Sequence, residues 1–161
     1  MKLKSSIENT NHFMKIAFTE AIKAKNRDEV PVGSVIVDER NNIIASNGNR
    51  IIELSDPTAH AEILCIREAS KKIQSERLVN CSLFSTLEPC AMCAGAMVLA
   101  RLPRLVYATT DPKAGAGGSI MDIIQHTALN HQVDVSHGLF ADEASEQIRS
   151  FFRMLRARGE K

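Results

Sequence analysis

The chain has 161 residues, 20 Lys and Arg against 19 Asp and Glu for a formal net charge of +1, and 44% hydrophobic residues. Such a length fits one domain with a full core and leaves little room for a second. The composition is ordinary for a soluble protein, and no apolar run approaches the roughly 18 residues that would cross a bilayer, which excludes a membrane segment. Four cysteines, two of them in Cys90-x-x-Cys93 with a distant histidine, read better as a metal site in a reducing compartment than as a disulfide framework. No apolar segment follows the lysines of Met1–Thr10, so no secretion signal is expected and a cytoplasmic location is.

Residues 1–10 read as a short N-terminal tail. Apolar positions Phe13, Ile16, Ala17, Ala21 and Ala24 then recur at helical spacing, which predicts a helix over Asn11–Lys25 capped by Thr10 or Asn11. Val32–Val37 and Ile43–Ser46 are rich in β-branched residues and flank the polar connector Asp38-Glu39-Arg40-Asn41-Asn42, which predicts an antiparallel pair. Asp56-Pro57 disfavours helix and Thr58 can cap, so a second helix is expected over Thr58–Ile73 with His60 and Glu62 in its first turn. Leu83–Leu87 reads as a short buried strand leading into Glu88-Pro89, followed by a small-residue helix over Cys90–Arg101. Arg104–Ala108 is a further apolar strand, Asp111–Ser119 a glycine-rich loop and Gln132–Val135 a weak last strand.

The chain closes with a helix over Ala141–Arg156, its basic face placed within 141–158. Ala144, Ile148, Phe151 and Leu155 form an apolar stripe beside a basic one of Arg149, Arg153 and Arg156. From Ile148 to Lys161 five basic residues stand against Glu160 alone. Strands alternating with helices after an initial hairpin imply an α/β fold, a three-layer α/β/α sandwich around a mixed sheet, in one domain over residues 1–161.

His60-Ala61-Glu62 and Pro89-Cys90-Ala91-Met92-Cys93 carry the chemistry. Catalytic zinc takes three protein ligands and keeps one position open, so His60, Cys90 and Cys93 suffice for one zinc ion per subunit, and Glu62 stays free to move protons. Cys90 and Cys93 at i and i+3 in a first helical turn can reach one ion, and a helix N-terminus favours thiolates. Cys65 and Cys81 read as core residues. H-x-E followed by P-C-x-x-C is the order found in zinc nucleobase deaminases. The pattern predicts hydrolytic deamination, with Glu62 taking a proton from water and returning protons to the ring nitrogen and the leaving amine. One geometric demand accompanies it: i and i+2 on a regular helix point about 200° apart, so His60 and Glu62 can converge only at the helix entrance.

The donor set alone suits cytidine, deoxycytidylate, guanine, pterin-like and tRNA adenosine substrates. Further motifs are Val30-Pro31-Val32-Gly33, Asn49-Arg50, Asp56 through Ile63, Thr86 through Met97, Asp111 through Ser119, Leu129-Asn130-His131 and Phe151-Phe152-Arg153. Through these, from about Phe13 to Arg156, the sequence resembles the bacterial tRNA-specific adenosine deaminases, the TadA family within the cytidine/deoxycytidylate deaminase superfamily. The resemblance implies a cytidine-deaminase-like fold with a five-stranded sheet, a homodimer, and conversion of adenosine to inosine at the first anticodon position of a tRNA, an arginine tRNA above all. It carries zinc to His60, Cys90 and Cys93, and proton transfer to Glu62. It also implies that Asn49 hydrogen-bonds the flipped adenine, that Val32 lies beside its ring, and that Asp111, with Lys113 in the same motif, borders the sugar-phosphate path. The chain departs from the family at Gly48, where a bulky residue usually precedes the asparagine, and at Ala108-Thr109-Thr110.

Sequence-specific RNA recognition favours splayed single-stranded loops read by stacking, hydrogen bonds and basic contacts, and an anticodon stem-loop is such a target. Phe152 beside Arg149 and Arg153 could stack on a base and contact phosphates. From these residues alone a solvated basic face fits equally well, and the resemblance favours binding. Asp111–Ser119 lacks the Gly-Lys-Ser/Thr order of nucleotide loops and reads as a segment flanking the substrate. Two other readings stay open: a guanine or free-nucleoside deaminase, and a non-catalytic zinc-stabilised RNA-binding module.

Overall fold

The structure, a computed structural model, describes residues 2–160, with side chains from residue 8 onward. Helix α1 (Lys2–Lys25) leads into strands β1 (Gly33–Asp38) and β2 (Ile43–Gly48), then the single turn α2 (Ile51–Leu54) and α3 (Ala61–Ile73). Strand β3 (Cys81–Leu87), α4 (Ala91–Leu99), β4 (Arg104–Thr109), β5 (Asp134–His137) and α5 (Ala141–Ala157) complete the chain. The five strands form one sheet in the order β2-β1-β3-β4-β5. β1 runs antiparallel to β2 and β3, while β3, β4 and β5 are parallel, so the sheet is mixed as expected.

Strand periodicity builds the layers, because successive side chains face opposite sides of a sheet. Val35, Val37, Phe84, Val106 and Ala108 point to one face, where Phe13, Met14 and Ala17 of α1 and Ala144 of α5 cover them. Ile36, Leu83, Leu105 and Tyr107 point to the other, against Ile63, Cys65 and Ala69 of α3 and Cys93, Ala94 and Met97 of α4. Parallel neighbours need crossovers, supplied here by α4 between β3 and β4 and by the 110–133 segment between β4 and β5. Both crossovers leave from the end of the sheet that leads into Cys90.

The β1–β2 connection follows from its residues. Asp38 accepts the backbone N–H of Arg40 and of Asn42, and Asn41 takes the left-handed conformation at φ 65°, which asparagine tolerates. Gly33 and Gly48 are register partners under α1. A Cβ would lie 1.9 Å from the Ala17 carbonyl oxygen at Gly33 and 2.4 Å from that of Glu20 at Gly48. Helix backbone thus rests directly on the hairpin, and the departure at Gly48 is a packing requirement of this chain.

Several boundaries differ from the sequence expectation. Residues 2–10, expected as a tail, belong to α1: Ser, Asn and Thr cost a helix less than about 0.7 kcal/mol each, and neither Pro nor Gly interrupts the run. Cys81 opens β3 with its side chain buried, instead of preceding the strand. β5 starts at Asp134 because the Val133 N–H is drawn to the Ile124 carbonyl, while the Asp134 N–H meets that of Pro103. α3 and α4 begin one residue after His60 and Cys90.

Candidate active site

His60 is the N-cap of α3, in extended conformation at φ −70° and ψ 150°, and Cys90 is the N-cap of α4 at φ −73° and ψ 174°. N-caps usually carry Ser, Thr, Asp or Asn, whose oxygen satisfies a free N–H of the first turn. Neither His60 nor Cys90 makes such a bond, so both side chains are released toward each other. Asn49, just after β2, does the capping from outside: its Oδ1 accepts the Ala61 N–H at 2.8 Å. The extended cap also resolves the angular problem between His60 and Glu62, since only Glu62 is on the helix.

The His60 Nδ1 lies 3.7 Å from the Cys90 Sγ and 3.6 Å from the Cys93 Sγ. All three donor atoms fall within 4.8 Å of one another, the single such cluster of His, Cys and acidic groups among the described residues. Tetrahedral zinc with Zn–S about 2.3 Å and Zn–N about 2.0–2.1 Å holds its N and S ligands roughly 3.6 Å apart, so the donors fit the ion. The Cys90 thiol is drawn well below the usual range, first by the hydrogen bond from Cys93 and then by His60. Cys93 is driven far up by the same sharing of one proton, Cys90 first and burial second. His60 is raised by its hydrogen bond to Cys90.

Glu62 adjoins this donor set without belonging to it, and the Cys93 thiol is near enough to act on its carboxyl. It is 3% exposed, and its Oε2 is buried without a hydrogen-bond partner, an uncommon and costly state for a carboxylate oxygen. Burial pushes its carboxyl up to about 7 against the lowering influence of its own backbone N–H and of His60. A group there can accept and release a proton near neutral pH.

Two of the other expected residues are linked by hydrogen bonds to the α3 entrance, Asn49 directly and Val32 through Asn49. Asn49 is buried, its N–H donates to the Val32 carbonyl at 3.1 Å, and its Nδ2 has no acceptor among the described residues. Val32 is buried at the entry to β1. Asp111, Lys113, Arg149, Phe152 and Arg153 instead line an open groove of about 810 Å3 between α5 and the 109–113 segment, with Val30 and Leu87 in its wall. Phe152 is 40% exposed while its neighbour Phe151 is buried and packs edge-on against it. Arg149 and Arg156 make no ion pair among the described residues, but Arg153 is bound to Glu146 and Arg158 to Asp28, so the basic stripe is partly neutralised. Lys161 lies outside the described residues.

Glu88 was not singled out as a site residue, yet it organises the glycine-rich segment. Its buried carboxylate accepts the N–H of Asp111, Gly117 and Ser119 and the Ser119 hydroxyl. Burial raises its carboxyl and these bonds, Ser119's hydroxyl foremost, more than offset that and hold it below the ordinary carboxylate range. The one signal in the sequence is a charged residue wedged between an apolar strand and Pro89.

A three-layer fold with a mixed sheet, a His-Cys-Cys cluster at two helix N-termini and a buried spare carboxylate define the zinc deaminase class. Residues 8–156 match the MafB19-like deaminase family. The chain is 48% identical over 143 residues to the tRNA-specific adenosine deaminase of Agrobacterium fabrum, covering 88% of this chain and 93% of that protein. It is 45% identical over 143 residues to that of Haemophilus influenzae, covering 89% and 83%. Among solved structures, one from work on A-to-I editing by tRNA:A34 deaminases at the wobble position of transfer RNA superposes with a TM-score of 0.81 at 46% identity, covering 84% of this chain and 98% of that one. The chain belongs to the tRNA-specific adenosine deaminase family.

Proposed function

We propose that this protein converts adenosine to inosine at the first anticodon position of tRNA, an arginine tRNA in the first instance, by zinc-dependent hydrolysis. The observation that carries the reading is Glu62 Oε2, a buried carboxylate oxygen without a partner beside three zinc-spaced donors. His60, Cys90 and Cys93 would hold one zinc ion per subunit, which when bound supplies the Lewis acidity that brings a water's pKa toward roughly 7. Glu62 Oε2 would take a proton from the attacking water, whose oxygen then adds to C6 of the adenine. The carboxyl then passes that proton to N1, takes the remaining proton of the hydroxyl added at C6 and hands it to the exocyclic amine, so the C6–N bond breaks, ammonia leaves and a carbonyl remains. Asn49 is suited to orient the base, because its Oδ1 is held by the α3 terminus and its Nδ2 is left to donate. Val32 borders that position.

Asp111, Lys113, Arg149, Phe152 and Arg153 would receive the anticodon stem-loop in their shared groove, which joins an exposed aromatic face to basic side chains. The whole chain acts as one deaminase domain. A homodimer is supported by α4, whose Gly95 has open space around it and whose Leu99 is 80% exposed; light scattering giving one chain's mass would reject it. No helix among the described residues is long and apolar enough to cross a membrane; the tRNA substrate is what argues for a cytoplasmic location.

The test is incubation of the zinc-loaded protein with transcribed arginine tRNA, with its anticodon stem-loop and with free guanine. Inosine at the first anticodon position is the expected product. Ammonia from guanine with no inosine in RNA would replace this reading with that of a guanine deaminase.

A further inference from the structure

We propose that Glu88 is a positioning residue that latches the 111–119 segment to the zinc-ligand turn, setting where Asp111 and Lys113 meet the RNA relative to Cys90. The proposal rests on the reading that this segment borders the substrate. Glu88 immediately precedes Pro89-Cys90, and its carboxylate is 1% exposed. Oε2 accepts the Asp111 N–H at 2.8 Å and the Ser119 hydroxyl, while Oε1 accepts the Gly117 N–H and the Ser119 N–H, each at 3.0 Å. One side chain therefore ties down both ends of the segment.

The backbone on either side completes the latch. The Glu88 N–H donates to the Thr109 carbonyl at 2.8 Å, the Ala116 N–H to that of Pro89 at 2.8 Å, and Cys90 forms a bridge with Gly115. Gly115 has no room for a side chain, since a Cβ would lie 2.4 Å from the Glu88 carboxylate. Converging N–H groups in a glycine-rich loop ordinarily make an anion site. Here the anion is internal, so the segment offers substrate no phosphate cradle from these amides. What it turns outward is Asp111, whose Oδ1 is already engaged by the N–H groups of Lys113 and Ala114, and the Lys113 side chain in the groove.

The Glu88 carboxylate bonds to the 111–119 segment and not to His60, Cys90 or Cys93, so its effect should fall on substrate capture. Glu88→Gln keeps the shape but sets an NH2 against N–H donors, which unlatches half of the array. Zinc-loaded Glu88→Gln and Lys113→Ala are compared with the unaltered protein for zinc per chain, and for KM and kcat on the anticodon stem-loop. Glu88→Gln is expected to keep one zinc per chain, raise KM about tenfold and change kcat less than about threefold, as loss of positioning of a binding surface predicts. Lost zinc, a fallen kcat at constant KM, or unchanged kinetics would each overturn the latch. Lys113→Ala separates it from the reading it rests on. A raised KM for Lys113→Ala with none for Glu88→Gln removes the latch alone; unchanged KM in both means the segment does not meet RNA, and both ideas fall. Should Glu88→Gln not fold, Ser119→Ala removes one donor and keeps the charge: a KM rise of about twofold at constant kcat supports the latch, and no rise overturns it.

Discussion

The donor cluster and the α5 groove both gather residues far apart in sequence, but they are held in opposite ways. At the cluster, His60 and Cys90 are fixed as helix caps, Cys93 and Glu62 are buried in the first turns, and Asn49 clamps the α3 terminus. In the groove, Arg149, Phe152 and Arg153 are exposed side chains of one helix, and Arg153 is already engaged by Glu146. Proton transfer needs atoms fixed within a few tenths of an ångström, whereas a flexible polyanion is captured by charges that adapt to it. On the proposed function, rigid chemistry is thus encoded in backbone geometry, and recognition in surface charge.

The contrast is sharpest at Glu62. Glu62→Ala should lower kcat/KM by about 1,000-fold or more while zinc content and fold persist, because only the proton carrier is lost. Retention of even a tenth of the activity in a zinc-loaded sample would remove Glu62 from the mechanism. Asn49→Ala should come next, since it removes an external helix cap and, on the proposed function, the donor that orients the base. A fall of about 100-fold in kcat/KM is expected, together with about 1 kcal/mol of stability, or roughly 2–4 °C in Tm for a chain of this size. A Tm loss with unaltered activity would reduce Asn49 to a cap.

Groove substitutions should be gentler and should respond to salt. Arg149→Ala is expected to weaken stem-loop binding severalfold and to flatten the slope of log K against log salt by about 0.7, the value for one lost phosphate contact on a single strand. Arg153→Ala should have the smaller effect of the two, because Arg153 must first leave Glu146. Equal slopes for variants and the unaltered protein would mean that α5 serves packing alone.

The smallest effect expected near neutral pH concerns carboxylates outside the reaction. Asp56, Glu68 and Glu88 are all held below their ordinary values of 3.8 and 4.5, mainly by Thr58, by Lys72 and by Ser119 against burial. A depressed folded-state pKa means that the unfolded chain binds protons first as pH falls, so their stabilisation is complete well above 4.5 and is lost below it. In zinc-loaded Glu62→Gln, where the raised carboxyl no longer titrates near 7, Tm should be level from pH 8 to about 6 and decline below about 4.5. A Tm that stays level down to pH 3 would contradict these bonds.

What could be read from the chain follows the range of the interactions involved. The Cys90-x-x-Cys93 spacing, the Asp56-Pro57 stop and the alternation in β1, β3 and β4 are local, so ligand identity, strand pairing and sheet class were legible. Residues whose role depends on a distant partner were not. Gly48 looked like a departure from a pattern until Glu20 was found lying over it, and Glu88 looked like part of a motif until its four donors converged. The α1 start was misplaced for a related reason: residues 2–10 have weak helix propensity, which states no firm boundary.

By itself the sequence determined the chemistry: three zinc donors, one spare carboxylate, and the order of strands and helices that carries them. Each depends on residue type and on spacing within a single turn or strand, which local backbone preferences already constrain. Tertiary structure alone decided that His60 and Cys90 act as caps free of capping, that Asn49 closes α3 in their place, and that the glycine-rich segment folds around Glu88. These are contacts across 12 to 31 positions of chain, and packing of the layers around one sheet brings them together.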